Sequence, residues 1–520
     1  MRAPRAVVLA SALAIGASAC SAPQSPVGAP LSSSADWPTY NRTLTGERFS
    51  ALSEITAKNV AGLKPLCHYA TGEAGAFQAG IVIAAGVMYF TTPDNTYAVN
   101  AKTCELLWKN EYQPVGKVLT PVNRGVAYDG VNVYRGTPDA HFIAINAKTG
   151  KTIWDVKVAN SSFGAFLSAA PIVWDGLAYI GLAGAEFGVR GKMFAFDTAT
   201  GHVVWTFDPI PGPHDVGGNT WANAQEAATG GGSTWTSYTL DSSTGELFVP
   251  VGNPGPDFSG DYRPGANLFT DSLVVLDAKT GKLKWWYQLV PHDVFDYDLG
   301  APAALVTTSG GKNLAVVAGK NGYLYGIDRL THKPLYKVAV TTIVNQSAAP
   351  TPQGTHVCPT WTGGVEWNGP AYDAANDQLL VNSDDWCGKY VLTPGRYVAG
   401  RLFLGGAVIP DPFSSARGWL YAIDADTGKV NWRYHSGGPL VAAITPTAGG
   451  LVFTGDMTGQ LLVFDAKSGA LLFKYKTPGS LAGGVVTYTV DGKQLLAVTS
   501  GNVSRTGWSN GASTIYVFGL

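Results

Sequence analysis

Two carboxylates two residues apart, Asp296 and Asp298 in the segment PHDVFDYDLG (291–300), have the clearest chemical use in this sequence. In extended backbone such a pair projects to the same side. Carboxylates brought together repel, so the pair needs a cation or a proton between them unless it is a polar loop of solvated acids. The segment GLAGAEFGVRG (181–191) holds another acid, Glu186, in a loop rich in small residues. Glycine and alanine let backbone N–H groups approach an anionic ligand closely. In FVPVGNPGPD, Gly252-Asn253-Pro254 is by itself a good turn, but the Asn253 amide oxygen also suits a hard cation.

Other chemistries find little support. The sequence contains no G-x-x-x-x-G-K-[ST], no H-E-x-x-H and no C-x-x-C-H, and its 8 histidines show no ligand spacing. A net charge of −1, without basic runs interleaved with aromatics, argues against nucleic acid as a partner. With 46% hydrophobic and 14% charged residues the chain is globular with a large core, and 64 Gly and 31 Pro imply many turns.

The elements that must position these residues are visible as a repeat. YAVNAKTCELLW, FIAINAKTGKTIW, FAFDTATGHVVW, LVVLDAKTGKLKW, LYGIDRLTHKPLY, LYAIDADTGKVNW and LLVFDAKSGALLF share one pattern: an alternating strand, an Asp/Thr/Gly turn and a second strand closed by an aromatic. Their Asp or Asn anchors fall at positions 100, 146, 197, 277, 328, 424 and 465. The two widest intervals hold YTLDSSTGELFVPVG and AYDAANDQLLVNS, which read as outer strands of further sheets with long insertions. The period predicts an all-β, eight-bladed β-propeller of four-stranded antiparallel blades, with seven blades as the alternative count. The closing aromatics are expected to dock each blade on the next, and STIYVFGL at the C-terminus to close the ring together with an N-terminal strand.

The first residues are an address. Arg2 and Arg5 precede an apolar run, Ala6–Ile15, and Ala17-Ser18-Ala19 fits a cleavage site, so residues 1–19 read as an export signal. Cys20 stands where a lipoprotein would be lipidated, although Ala17 occupies a place usually held by Leu. Residues 20–35 read as a Ser/Pro/Ala-rich linker and 36–520 as one propeller domain, with no later apolar stretch long enough to span a membrane. Four further cysteines in an exported chain predict disulfides. Cys67–Cys104 with Cys358–Cys387 is the simplest of three pairings, each pair bracketing a short antiparallel segment; four buried thiols are the alternative.

The repeats, the opening DWPTYNRTLTGERFSALSEITAKNVAGL and the motifs above, in this order, resemble the PQQ-dependent alcohol dehydrogenases, the family of the methanol dehydrogenase large subunit. The resemblance runs from about Asp36 to Leu520. It implies an enzyme that oxidises a small alcohol with pyrroloquinoline quinone (PQQ) and a metal ion. It makes Asp296 the catalytic base and Glu186, Asn253 and Asp296 the metal ligands. Gly184 and Ala185 would lie beside the quinone, Arg124 and Lys320 would be its cationic contacts, Ser168 and Ser233 would offer hydroxyls, and Trp235 would stack beneath it. Some positions depart from relatives. Gln78 and Asp385 are also expected among the cofactor contacts, although Gln78 stands where some members carry Glu and Asp385 where methanol dehydrogenase carries Asn; Ala183 stands where relatives have a small hydroxyl residue. The adjacent-cysteine ring before Asn123-Arg124 is missing. Asp298 matches an Asp of the lanthanide-using members, so the resemblance favours a lanthanide with Ca²⁺ as the alternative. A periplasmic location and an external c-type cytochrome as electron acceptor complete the expectation. The alternative is a non-catalytic propeller of the outer-membrane-assembly lipoprotein type, which shares the repeat.

Overall fold

The computed structural model describes residue 1 and residues 36–502 and 511–520. The export signal, the linker and Cys20 therefore lie outside the described residues. Eight four-stranded antiparallel sheets account for most of the fold. In chain order the blades comprise residues 82–110, 127–157, 172–207, 239–288, 304–339, 371–436 and 445–476, and an eighth spans both ends. In the eighth blade Val485–Val490, Lys493–Ser500 and Thr514–Gly519 are joined by Lys64–Ala70, which pairs with Thr514–Gly519 as outermost strand. The expected closure by the two ends is thus present.

Each repeat is a device for docking sheets. The anchor side chain caps its own turn: Asn146 Oδ1, for example, accepts the Lys148 and Thr149 N–H groups. The closing aromatic reaches into the next blade's turn. Trp108, Trp154, Trp205 and Trp432 donate Nε1–H to the carbonyls of Ala147, Thr198, Ala278 and Ala466, and Tyr336 donates its hydroxyl to Ala425. The turn glycine is required twice over. Gly150 has φ +70°, and a Cβ there would lie 2.8 Å from the Trp108 ring. His332 replaces that glycine in the fifth blade and stacks on Trp285 with ring centroids 4.4 Å apart.

The seam between the eighth and first blades is built differently. Cys104, at φ +60°, holds the turn-glycine place of the first blade, its N–H bonding Asn100 O as Gly150 N–H bonds Asn146 O. Cys67 follows the strand irregularity of the eighth blade's outermost strand as Trp108 does in the first. The disulfide Cys67–Cys104 therefore replaces the Trp–Gly contact with a covalent bond at the one interface joining distant parts of the chain. Both expected pairings are present, but Cys67–Cys104 links two blades and does not bracket a hairpin.

Two further differences concern the wide intervals. YTLDSSTGELFVPVG and AYDAANDQLLVNS form the inner two strands of the fourth and sixth blades, not outer ones. The reason is that the repeat's turn joins the outer strand pair, so what precedes it must be the inner pair. A three-stranded sheet, Thr355–Val357, Gly388–Leu392 and Gly406–Pro410, was not expected; it arises from insertions before and within the sixth blade, beside the Cys358–Cys387 bond. Among the described residues no helix is long and apolar enough to cross a membrane.

Candidate active site

The inner ends of the blades and the loops that leave them enclose a cavity. Its lining includes Gln78, Arg124, Ser168, Gly184, Glu186, Ser233, Trp235, Asp298 and Lys320, residues drawn from sequence positions more than 200 apart. Asn253 and Asp296 adjoin this group through Asp298 and Lys320. Asp385 does not.

Glu186 sits on a single helical turn, Ala185–Phe187, after the third blade's second strand. Gly184 opens this turn at φ +122°, and a Cβ there would lie 2.3 Å from Gly164 O, so only glycine fits. The Ala185 N–H donates to Ser233 Oγ at 2.9 Å, which fixes this loop against the one carrying Trp235. Ser168 Oγ donates to Trp235 O, and the Arg124 backbone N–H donates to Ser168 O. The Arg124 guanidinium lies between two indoles, 4.4 Å from the Trp235 ring centre and 5.0 Å from that of Trp367. Burial lowers the pKa of Arg124 to about 10, against the opposing pull of nearby acids.

The acids meet at Lys320. Asp298 Oδ1 accepts the Asn253 N–H at 2.7 Å, and its Oδ2 lies 2.5 Å from Lys320 Nζ. The same ammonium is 3.3 Å from Asp296 Oδ1. Gly252 has to be small here, because a Cβ would come within 2.1 Å of Asp298 Oδ1. Burial raises the Asp296 carboxyl well above its usual range; Lys320 opposes this, and Asp298, Asp257 and Glu186 add to it. Burial works against the charge on Lys320, but Asp296, Asp298 and Glu366 outweigh it and raise its pKa.

Negative charge is in excess around this point. Asp257 and Asp271 are fully buried with no hydrogen-bond partner on either oxygen among the described residues, and burial raises both well above the ordinary carboxylate range. A buried carboxylate without hydrogen bonds is expensive; Arg263 and Lys320 offset part of this charge, and a further cation would offset more. The available donors are all oxygens, from Glu186, Asn253, Asp296 and Asp298, which suits a hard ion. Lys320 lies between Asp296 and Asp298, and among the described residues no three such side chains are gathered as a finished cage. The donor chemistry and the surplus of charge nevertheless fit a cation at this place.

Asp385 requires a correction. Its carboxylate accepts Trp419 Nε1–H at 2.8 Å, and its neighbour Asp384 lines the cavity. Both lie on the strand Gln378–Asp385, where successive side chains face opposite sides, so a shift of one residue exchanges cavity for exterior. Among the described residues Asp384 Oδ1 has no hydrogen-bond partner, and burial raises its carboxyl strongly. The sequence motifs also passed over Glu366, Trp367 and Trp361, which line the same cavity. Burial raises Glu366 to a pKa of about 7. The segment TWTGGVEWNG carried a signal, two tryptophans and an acid among small residues, but no repeat to flag it.

The family described as "Glucose/ethanol/alcohol dehydrogenase, beta-propeller domain" matches residues 37–352, and one described as "Outer membrane protein assembly factor BamB" matches residues 416–511. The quinoprotein alcohol dehydrogenase PedH of Pseudomonas putida is 32% identical over 88% of this chain and 84% of its own length. The lanthanide-dependent methanol dehydrogenase of Methylacidiphilum fumariolicum is 29% identical over 89% of this chain and 84% of that protein. Among solved structures, a europium-containing methanol dehydrogenase superposes with a TM-score of 0.84 at 27% identity, covering 94% of this chain and 98% of that one. BamB from Moraxella catarrhalis matches at a TM-score of 0.51 and 14% identity, a likeness of fold alone.

Proposed function

The chain belongs to the PQQ-dependent alcohol dehydrogenases, and we propose that within it Asp296 is the catalytic base and Glu186, Asn253, Asp296 and Asp298 hold the metal ion. The protein oxidises alcohols, using PQQ and a lanthanide or calcium ion. When bound, the quinone supplies the hydride acceptor and the cation supplies Lewis-acid polarisation of its carbonyl.

The chain's own residues do the rest. Trp235 provides an aromatic floor for a flat conjugated ring. Arg124 and Lys320 offer positive charge to an acidic cofactor, and Gln78, Ser168, Ser233 and the Gly184–Ala185 backbone offer polar contacts around it. Asp384, in place of Asp385, is assigned to the wall of that site. Asp296 takes the hydroxyl proton of the alcohol, a role that a buried carboxyl beside an ammonium can fill. Asp298 adds a fourth oxygen side chain and a further negative charge, which favours a trivalent lanthanide over Ca²⁺. A c-type cytochrome outside this chain takes the electrons, in the periplasm.

The observation that carries the reading is the meeting of Asp296 and Asp298 at Lys320, with the Asn253 N–H bonded to Asp298 and Trp235 5.4 Å from the ammonium. A purely structural propeller gives no reason for this much buried charge. The test is Asp296→Asn. It should fold and bind PQQ as the parent does, with dye-linked alcohol oxidation reduced by at least about 100-fold, the lower range of general-base contributions. Activity within a few-fold of the parent removes Asp296 from the role of base.

A further inference from the structure

The Asp296 backbone is left-handed at φ +61°, as it is at Asp175 and Asp271 in this chain, and it lies in a loop outside the blade strands. No strand ladder fixes this loop, so side chains must. The buried carboxylate of Asp293 does so on both sides: Oδ1 accepts the Phe295 N–H at 3.0 Å and Oδ2 accepts the Tyr297 N–H at 2.8 Å. The residues before and after the base are thus tied to one side chain three positions upstream. Tyr390 adds a bond from its hydroxyl to Phe295 O, and the Tyr297 hydroxyl donates to Pro359 O.

A second buried side chain ties this loop to the one carrying Asn253. Arg263 has no exposed surface. Its Nε and Nη2 donate to Pro256 O at 3.2 and 3.0 Å, Nη2 also contacts Asp293 O, and Nη1 donates to Asn267 Oδ1 at 3.0 Å. Pro256 lies three residues after Asn253, and Asp293 three before Asp296. The donors are spent on carbonyl and amide oxygens, in a fork that fits the planar guanidinium and that a lysine cannot reproduce. Neutralising charge alone would not need this geometry.

We propose that Arg263 and Asp293 are positioning residues that clasp the Asn253 loop to the Asp296–Asp298 loop and so fix the base and the cation ligands relative to one another. This rests on the reading of Asp296 as base and of Asn253 and Asp298 as ligands. Neither Arg263 nor Asp293 lines the cavity that holds Trp235, so the clasp acts through the loops it joins.

The test uses the full chain with Arg263→Lys and Asp293→Asn. Lysine keeps the charge and loses the fork; asparagine keeps the volume and loses one of two acceptors. Tb³⁺ binding to the metal-free protein, read by tryptophan-sensitised luminescence, should weaken at least tenfold in Arg263→Lys. In Asp293→Asn, kcat should fall at least tenfold while KM for the alcohol and PQQ affinity stay within threefold, since the base is displaced and the substrate cavity is not. Parental Tb³⁺ affinity in Arg263→Lys, or parental kcat in Asp293→Asn, overturns the proposal. If Arg263→Lys does not fold, Asp293→Asn decides; loss of the sheet signature in both also counts against it, by making them residues of general stability. If both variants behave as the parent while Asp296→Asn is inactive, the clasp falls and the base stands. If Asp296→Asn is active too, the reading of the base is what failed.

Discussion

At the scale of single residues, Asp298 decides most. It accepts the Asn253 N–H through one oxygen and meets Lys320 through the other, so it joins two of the residues assigned to the site. Removing its charge while keeping its shape should change which ion is preferred. Asp298→Asn retains an oxygen for the Asn253 N–H and loses the negative charge, and a trivalent ion loses more from that than a divalent one. We expect the ratio of La³⁺ to Ca²⁺ affinity to fall by at least about tenfold, roughly 1.4 kcal/mol, measured by competition in the metal-free protein; an unchanged ratio excludes Asp298 as a ligand. The acids of PHDVFDYDLG and the Gly/Ala loop of Glu186 were legible in the sequence because spacing and small residues carry their own physical meaning. Arg263 and Asp293 were not. Their partners are backbone atoms of other loops, and no local pattern announces a bond to a carbonyl. Asp384 was misread as Asp385 because side-chain facing alternates along the strand, and two adjacent acids leave the phase open.

At the scale of elements, five repeats share one contact, Trp108, Trp154, Trp205, Tyr336 and Trp432 each lying against the glycine of the next turn, and the sequence showed both halves of it. The sequence also has Cys104, in YAVNAKTCELLW, where most repeats carry glycine. It could not show that Cys67 holds the aromatic's place, because the strand Lys64–Ala70 lies outside the repeats and joins the eighth blade only through the closure. The disulfide should therefore matter beyond its chain separation of 37 residues. Cys67→Ser with Cys104→Ser should cost about 2–4 kcal/mol, seen as a lower unfolding midpoint in denaturant, and proteolysis of the native protein should begin near residues 64–70. A midpoint within experimental error of the parent would mean that strand pairing alone closes the ring. The three-stranded sheet of residues 355–410 stayed hidden because its strands are short and drawn from two separate insertions.

At the scale of the whole molecule, the propeller gathers onto one cavity side chains from the beginning, middle and end of the chain, and it surrounds the acids with buried surface that raises the cost of leaving them unpaired. The scaffold is shared with proteins that do no chemistry, so the function rests on the contents of the cavity. On the proposed reading, two additions belong there together, PQQ over Trp235 and a hard cation among the carboxylates. The most direct measurement is alcohol turnover with an artificial electron acceptor, in metal-free protein supplied with PQQ alone, with La³⁺ or Ca²⁺ alone, and with PQQ and each ion together. Turnover is expected only when PQQ and an ion are both present, with La³⁺ above Ca²⁺. Turnover equal or higher with Ca²⁺ would contradict the lanthanide preference, and absence of turnover with every ion, in protein shown to hold PQQ, would contradict the account as a whole.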